Sequence, residues 1–551
     1  MAYQEFHNCT DEIFESRKII DADGAALYET ESGSLLCKII KRNDTKLLKQ
    51  YITAWDLPSC GITITDIQSH DPFYMAAAHG SLDVLRVLLD VHLGNAHSVS
   101  IEEERGFSLL HVACQHAQIE IVKFLLDSDP PLGAVDDRDL EEWTPLISAA
   151  YSTGTFGKGV DADAADHARG EALINMLLDR WASACNNVSF PTTDIDMTSE
   201  GQLVPQQAEL TVLGLAITGS SYGMVKRLLE HGADIQQHLE YYSNGPGFWD
   251  NGLDVQDVTA LHLGSQAWNV DGIRAVLDYY HEKRSDLISC CDSMGRLPLH
   301  YAAAGINPIF ELSLLENTLV QKITSTFELL VPNDAEAVVK LIKFRDKQGA
   351  TPLHYAIRTH ASCGSQGSNH AYYIIQWLCS RGANAGIVDF KMQTVLHRLA
   401  YWSLDGEPID LNLIKLLLDH GCTLDTTDKD SETPLHILAR HLRQAHAAKM
   451  LIENGARVDI VNKKGNLPLH EAMRGTMRPR ESWDCQRWEP VLLEDYVEAQ
   501  NKIVQALLNA HGTPGILDQP NSKGKTPRQM REETRWKWIE KEAPSTKPGE
   551  I

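Results

Sequence analysis

The sequence predicts an all-α solenoid of about 11–12 helix-pair units, closed by hairpin loops, interrupted by several insertions and capped by helices at its ends. Three observations predict it. A short start motif recurs along the chain, apolar residues at helical spacing follow it, and a glycine commonly stops the second helical run. The chain has 551 residues, 43% hydrophobic and 23% charged, which is the balance of an ordinary folded protein. Lys plus Arg number 50 against 75 Asp plus Glu, a net charge of -25. A surface that acidic argues against a wide grip on phosphate backbones.

The start motif is clearest at Thr351-Pro352-Leu353-His354, Thr433-Pro434-Leu435-His436 and Leu467-Pro468-Leu469-His470. Variants begin at 259, 297 and 394, weaker ones at 108, 144 and 211, and positional matches at 34 and 71; Thr526-Pro527 is a broken last copy. Successive starts lie 34 to 67 residues apart. The shortest gaps are one unit, and the longer ones are a unit plus an insertion. A Thr before Pro reads as a helix start: the hydroxyl is expected to cap a free amide, and Pro sits where its missing N–H costs nothing. The Leu faces inward. Small residues follow, as in Tyr301-Ala302-Ala303-Ala304-Gly305, so a second helix can approach closely.

That second helix carries Val84, Leu85, Val87, Leu88 and Leu89 in one unit, and Leu413, Ile414, Leu416, Leu417 and Leu418 in another. Its expected stop is a left-handed glycine, as in His231-Gly232-Ala233 and Asn454-Gly455-Ala456. A loop of the form Asp-x-x-Gly then leads to the next start, as in Asp346-Lys347-Gln348-Gly349. Insertions are expected at 152–170, 184–207, 237–253, 306–322, 360–369 and 475–495. Within 306–345, either residues 314–330 or 335–342 could supply the second helix. Residues 528–541, with Trp536, Trp538 and Ile539, read as a charged closing helix.

With these features together, the unit resembles the ankyrin repeat over residues 34 to 540. The Thr-Pro pair is lost at 34, 211 and 259, and the His is replaced at 37, 74, 147 and 214. The chain therefore divides into an N-terminal extension or cap (1–33), degenerate repeats with insertions (34–240), repeats closer to the consensus (241–520), and a capping helix with a disordered tail (521–551). One unit cannot bury its own apolar face, so the units must stack. The resemblance implies that the motif histidines 111, 262, 300, 354, 397, 436 and 470 bond to backbone and link loops, one repeat apart and too distant to share a metal.

Chemical motifs give no catalytic, metal or cofactor residues. Gly219-Ser220-Ser221-Tyr222-Gly223 matches a nucleophile elbow, yet it follows Leu213, Leu215 and Ile217 at the turn between two helices of a unit, without the buried strand an elbow needs. Gly154-Thr155-Phe156-Gly157-Lys158-Gly159 lacks the phosphate-loop spacing and the hydroxyl after the Lys. Eleven cysteines include no C-x-x-C pair and read as free, mostly buried thiols. Local basic clusters such as Lys463-Lys464 are expected to be solvated faces or partner contacts, with no direct nucleic-acid binding. The start of the chain shows no secretory signal and no apolar run spans a bilayer, so the protein is expected in the cytoplasm, the nucleus or both, with no membrane role.

Binding of other proteins remains. By the resemblance, residues around the hairpin glycine and just after the His are free to vary and form a recognition stripe: Met294, Arg296 and Tyr301; Lys347, Gln348 and Tyr355; Phe390, Gln393 and Arg398; Lys429 and Glu432; Lys463, Lys464, Asn466 and Glu471. Exposed Met, Tyr, Phe and Arg suit such contacts. The basic tips predict an acidic or mixed-charge partner segment on one or more intracellular proteins. The expected function is a non-enzymatic regulatory adaptor, for instance a transcriptional co-regulator. A scaffold or substrate receptor for a modification complex is the alternative, and a cryptic enzyme the least favoured.

Overall fold

A computed structural model describes residues 34–54, 71–93, 107–153, 164–185, 187–197, 203–237, 239–241, 255–305, 316–360, 369–403, 408–477, 480–482, 487–489, 491–510 and 515–542, with short strands at 18–20 and 26–28. The chain forms two compact units, 1–240 and 241–551. The aromatic stretch 242–254 and the glycine-rich 154–163 fall outside the described residues.

In the first unit five helix pairs follow one another: Ser34–Lys41 with Thr45–Ala54, Pro72–His79 with Leu82–Leu93, Leu109–Gln115 with Ile119–Asp127, Pro145–Thr153 with Ala164–Asp179, and Val212–Ala216 with Tyr222–Glu230. The first helix of each pair packs on the first helix of the next. These inner helices are buried nearly all round, as at Met75, Ala76 and Ala77, because they lie between two neighbours and their own partner helix. The N-terminal extension contributes a hairpin, Lys18–Ile20 with Ala26–Tyr28, which packs on Thr45–Ala54 and buries Ile19.

The second unit repeats the plan: Ala260–Gln266 with Val270–Tyr279, Pro298–Ala304 with Glu316–Leu329, Pro352–His360 with Asn369–Ser380, Val395–Trp402 with Leu411–Asp419, Pro434–Arg440 with Ala445–Glu453, and Pro468–Met473 with Leu493–Asn509. Pro527–Glu542 closes it, with Trp538 packed at 4.8 Å on Tyr496 of the preceding helix. The choice within 306–345 is settled by packing. Glu316–Leu329 touches the outer helices on both sides, Val270–Tyr279 and Asn369–Ser380, so it is the outer helix and Ala335–Ile342 is an added one.

The helical plan holds, and among the described residues strands are confined to hairpins outside the helix pairs. The longest, Asn187–Met197 with Leu203–Thr211, fills the insertion expected at 184–207, and Arg480–Ser482 with Arg487–Glu489 lies in the one at 475–495.

Glycine closes the outer helices as expected. Gly232, Gly382, Gly421 and Gly455 have φ between 92° and 100°, and the next amide bonds back into the last turn, as Ala233 does to the Leu228 carbonyl at 3.0 Å. Trp181 occupies the same place at φ 68°.

The candidate partner-binding face

The start motif behaves differently from a simple Thr cap. At 259, 351, 394 and 433 the Thr hydroxyl lies 2.9 Å from the Nδ1 of the motif His. That Nδ1 also accepts the Thr amide, at 3.1 Å in His262, His397 and His436. Leu297 and Leu467 have no hydroxyl, and their amides still donate to His300 and His470 at 3.0 Å. Where the His is lost, the side chain at the start takes over the capping. Thr211 accepts from the Gly214 amide at 2.9 Å, and Asp71 from Phe73 and Tyr74.

With Nδ1 accepting, the proton sits on Nε2, and it is spent on the next repeat. His262 Nε2 donates to the Arg296 carbonyl at 3.1 Å, His397 to Glu432 at 3.1 Å, His436 to Asn466 at 3.1 Å and His470 to Lys525 at 3.3 Å. Each acceptor is the residue just before the next start. His300 and His354 keep the same Nδ1 bond, and their Nε2 atoms feel the backbone of Ala350 and Gln393 without reaching good hydrogen-bond geometry. Burial drives the imidazoles toward the neutral form: His262 and His436 fall to about 4, His300 and His354 to about 3. Among the described residues no three His, Cys, Asp or Glu side chains could hold a metal ion together.

The hairpins have their own device. Asp346 Oδ1 accepts the amides of Gln348 at 2.8 Å and Ala350 at 2.7 Å, which folds the loop around one carboxylate oxygen. Asp292, Asp389, Asp428, Asn462 and Asn521 repeat this pattern. The hairpins are then tied tip to tip. Lys347 N–H donates to the Met294 carbonyl, Phe390 to Gln348, Lys429 to Lys391, Lys463 to Asp430 and Ser522 to Lys464, at 2.8–3.1 Å. One backbone hydrogen bond per unit fixes the tips as a row.

The second carboxylate oxygen explains a group of residues that the sequence reading placed on the surface. Asp292 Oδ2 accepts from Arg296 Nε at 2.6 Å and Tyr301 OH at 2.8 Å; Asp346 Oδ2 from Tyr355 OH at 2.7 Å; Asp389 Oδ2 from Arg398 Nη2 at 2.7 Å. Arg296, Tyr301, Tyr355 and Arg398 are therefore buried, as are Asn466 and Glu471. They are internal ties between hairpin and helix, and the expectation that they face a partner is corrected. Around Glu471 the arrangement is inverted. Its carboxylate accepts from Arg440 at 2.9 Å, Arg474 at 2.7 Å and Asn466 at 2.8 Å, and the hairpin base is the neutral Asn462. Burial disfavours this charge, but Arg440, Asn466 and Arg474 outweigh it and hold Glu471 near 2. Burial likewise opposes the Arg296 charge, yet Tyr301, Tyr355 and Asp292 keep it firmly protonated.

Of the other predicted residues, Lys347, Phe390, Lys429, Lys463 and Lys464 are exposed, and Met294, Gln348, Gln393 and Glu432 are half-buried. Glu432 is tied down by Arg440 and Asn462. Two exposed residues escaped the sequence reading. Met392 (47% exposed) stands, at φ 62°, where Gly295, Gly349 and Gly465 turn three neighbouring hairpins and Ser431 a fourth. Tyr401 (48% exposed) lies three residues beyond Arg398 on the inner helix. The missing hairpin glycine at 392 was a visible signal for the first; nothing marked the second.

Ser221 caps the helix Tyr222–Glu230 and donates to Glu171 at 2.8 Å, so the elbow-like motif is a helix start. Cys114, Cys379 and Cys422 are buried thiols, while Cys185 is exposed. Among the described residues no helix is long and apolar enough to cross a membrane.

Comparison with known proteins agrees with this architecture. The family description for three consecutive ankyrin repeats matches residues 36–136, 73–157 and 396–478, and that for a single ankyrin repeat matches 348–390. These segments of the chain are ankyrin repeats. An ankyrin repeat protein of Acanthamoeba polyphaga mimivirus is 26% identical over 261 residues, covering 43% of this chain. The chain spans 30% of that relative's length. The crystal structure of an ankyrin repeat domain from Acinetobacter baumannii has 22% sequence identity and a TM-score of 0.30, covering 44% of this chain and 94% of its own. Ankyrin repeats are protein–protein interaction modules, and this chain carries that module.

Proposed function

We propose that the protein is a non-enzymatic regulatory adaptor that acts by holding partner proteins on the hairpin-tip face of residues 290–471. The observation that carries this is the tied row of tips. It presents Lys347, Phe390, Lys391, Lys429, Lys463 and Lys464 outward from backbone fixed by one hydrogen bond per unit. A preorganised row loses little conformational freedom on binding, which is what a recognition surface requires. The motif imidazoles join repeats, and the hairpin-base carboxylates hold the hairpins.

The site of action is proposed to be the cytoplasm or nucleus. Tagged full-length protein purified from cells of its source organism tests the reading. Specific partners should be retained by the wild-type chain and lost when Lys463 and Lys464 are both changed to Glu, a pair of exposed positions whose substitution leaves the core intact. Equal retention by both would overturn the assignment of this face. Nuclear accumulation of the tagged chain would favour co-regulation of transcription, and exclusion from the nucleus would remove it.

A further inference from the structure

Resting on the reading above, we infer that the partner element is an extended acidic segment carrying one large apolar side chain. Its carboxylates meet Lys429, Lys463 and Lys464, and the apolar side chain enters the cleft beside Tyr401.

The charge argument is local. The tips from 347 to 523 present Lys347, Lys391, Lys429, Lys463, Lys464 and Lys523, all exposed, and no ion pair is made by any of them among the described residues. Three acids lie among them at 428–432. Asp428 is occupied by the amides of Asp430 and Glu432, and Glu432 by Arg440 and Asn462. Asp430 alone is exposed. A protein of net charge -25 thus carries a row of uncompensated cations, on adjacent hairpins whose backbones touch. Such a row attracts an anionic chain and repels a basic one.

The apolar argument comes from the same place. A cleft of about 240 Å³ opens between successive hairpins, with Tyr401 as its exposed apolar wall over the buried Ile437, Lys463 and Lys464 beside Asp430, and the already bonded Asp428 and Glu432 in its otherwise polar lining. The unit that supplies Tyr401 also exposes Phe390 (59%) and Met392. Large apolar side chains at hairpin tips, flanked by lysines on the same unit and the next, form an anchor bordered by charge. A nucleic acid would satisfy the lysines but not the cleft, and the charge of the whole chain opposes it.

Fluorescence anisotropy on the full chain tests this, with labelled peptides of about twelve residues. One is Asp/Glu-rich with a central Leu, one has that Leu replaced by Ser, and one is Lys/Arg-rich; a single-stranded oligonucleotide of matched charge is the fourth probe. The Leu-containing acidic peptide should bind best. Its Kd should rise about tenfold or more with Lys463→Glu/Lys464→Glu and several-fold with Tyr401→Ala, and it should weaken as salt is raised. Unchanged thermal unfolding of each variant would show that the fold is kept, and Lys463→Ala/Lys464→Ala gives a second, milder variant. Three results would overturn the inference: equal binding of the Leu and Ser peptides, tighter binding of the oligonucleotide, or self-association of the chain through these lysines. Protein capture that depends on the tips, without any acidic-peptide binding, would leave the adaptor reading standing and reject this partner chemistry.

Discussion

Among the described non-glycine residues with positive φ, two are large, apolar and exposed. Met392 takes the left-handed place of a hairpin glycine, and Trp181 that of a helix-closing glycine while remaining 87% exposed. A left-handed non-glycine residue costs roughly 1–2 kcal/mol, and glycine returns part of this through the entropy of the unfolded chain. Met392→Gly should therefore stabilise the protein by about 0.5–1 kcal/mol, read as a higher denaturant midpoint. If Met392 belongs to the recognition face, the same change should weaken the acidic peptide. A substitution that left stability and affinity both unmoved would deny the residue any special role.

At the scale of the element, the sequence disclosed a good deal. The helix starts, the apolar stripes of the outer helices and their glycine stops were legible because capping, periodicity and left-handed backbone each demand particular residue types. The binding face was only partly legible. Tyr301, Tyr355 and Arg398 are polar residues at positions that vary between units, a pattern that reads as surface. Their burial depends on an acid nine positions earlier, at 292, 346 and 389, and no local rule links a loop carboxylate to a helix residue across that distance.

This tie makes a test. Asp292→Ala removes the acceptor of two hairpin amides and leaves the fully enclosed Arg296 without its carboxylate. Stranding a buried charge costs about 3–5 kcal/mol, so the variant should lose that much in equilibrium denaturation. A loss below about 1 kcal/mol would mean that the pair is weakly coupled to the fold.

For the molecule as a whole, the ladder of imidazoles sets the response to acid. In the folded chain His262 and His436 titrate at about 4, and His300 and His354 at about 3, against 6.5 when unfolded. Below pH 6.5 the unfolded chain takes protons that the folded chain refuses. Stability is thus complete above that value and lost as pH falls toward 4 and then 3. At pH 5 each fully buried ring is worth about 2 kcal/mol against folding. Glu471, held near 2, keeps its stabilising charge through this window, whereas Asp346, raised by burial, slightly opposes the loss. The denaturation midpoint should fall steeply between pH 7 and 5, and His436→Gln should make the slope shallower. A flat profile would show that the rings are not held neutral.

The tip-to-tip bonds also bear on how such a chain can change length. In its backbone bond each hairpin asks for a carbonyl on the hairpin before it, and each imidazole for the carbonyl ahead of the next start, whichever copies supply them. Excising residues 394–432 would join Gln393 to Thr433 and offer the Lys463 amide the Lys391 carbonyl in place of that of Asp430. The backbone ladder can therefore close again when a whole copy is gained or lost, at the cost of side-chain ties such as that of Glu432 to Arg440 and Asn462, and the row of lysines shortens or grows by one step each time.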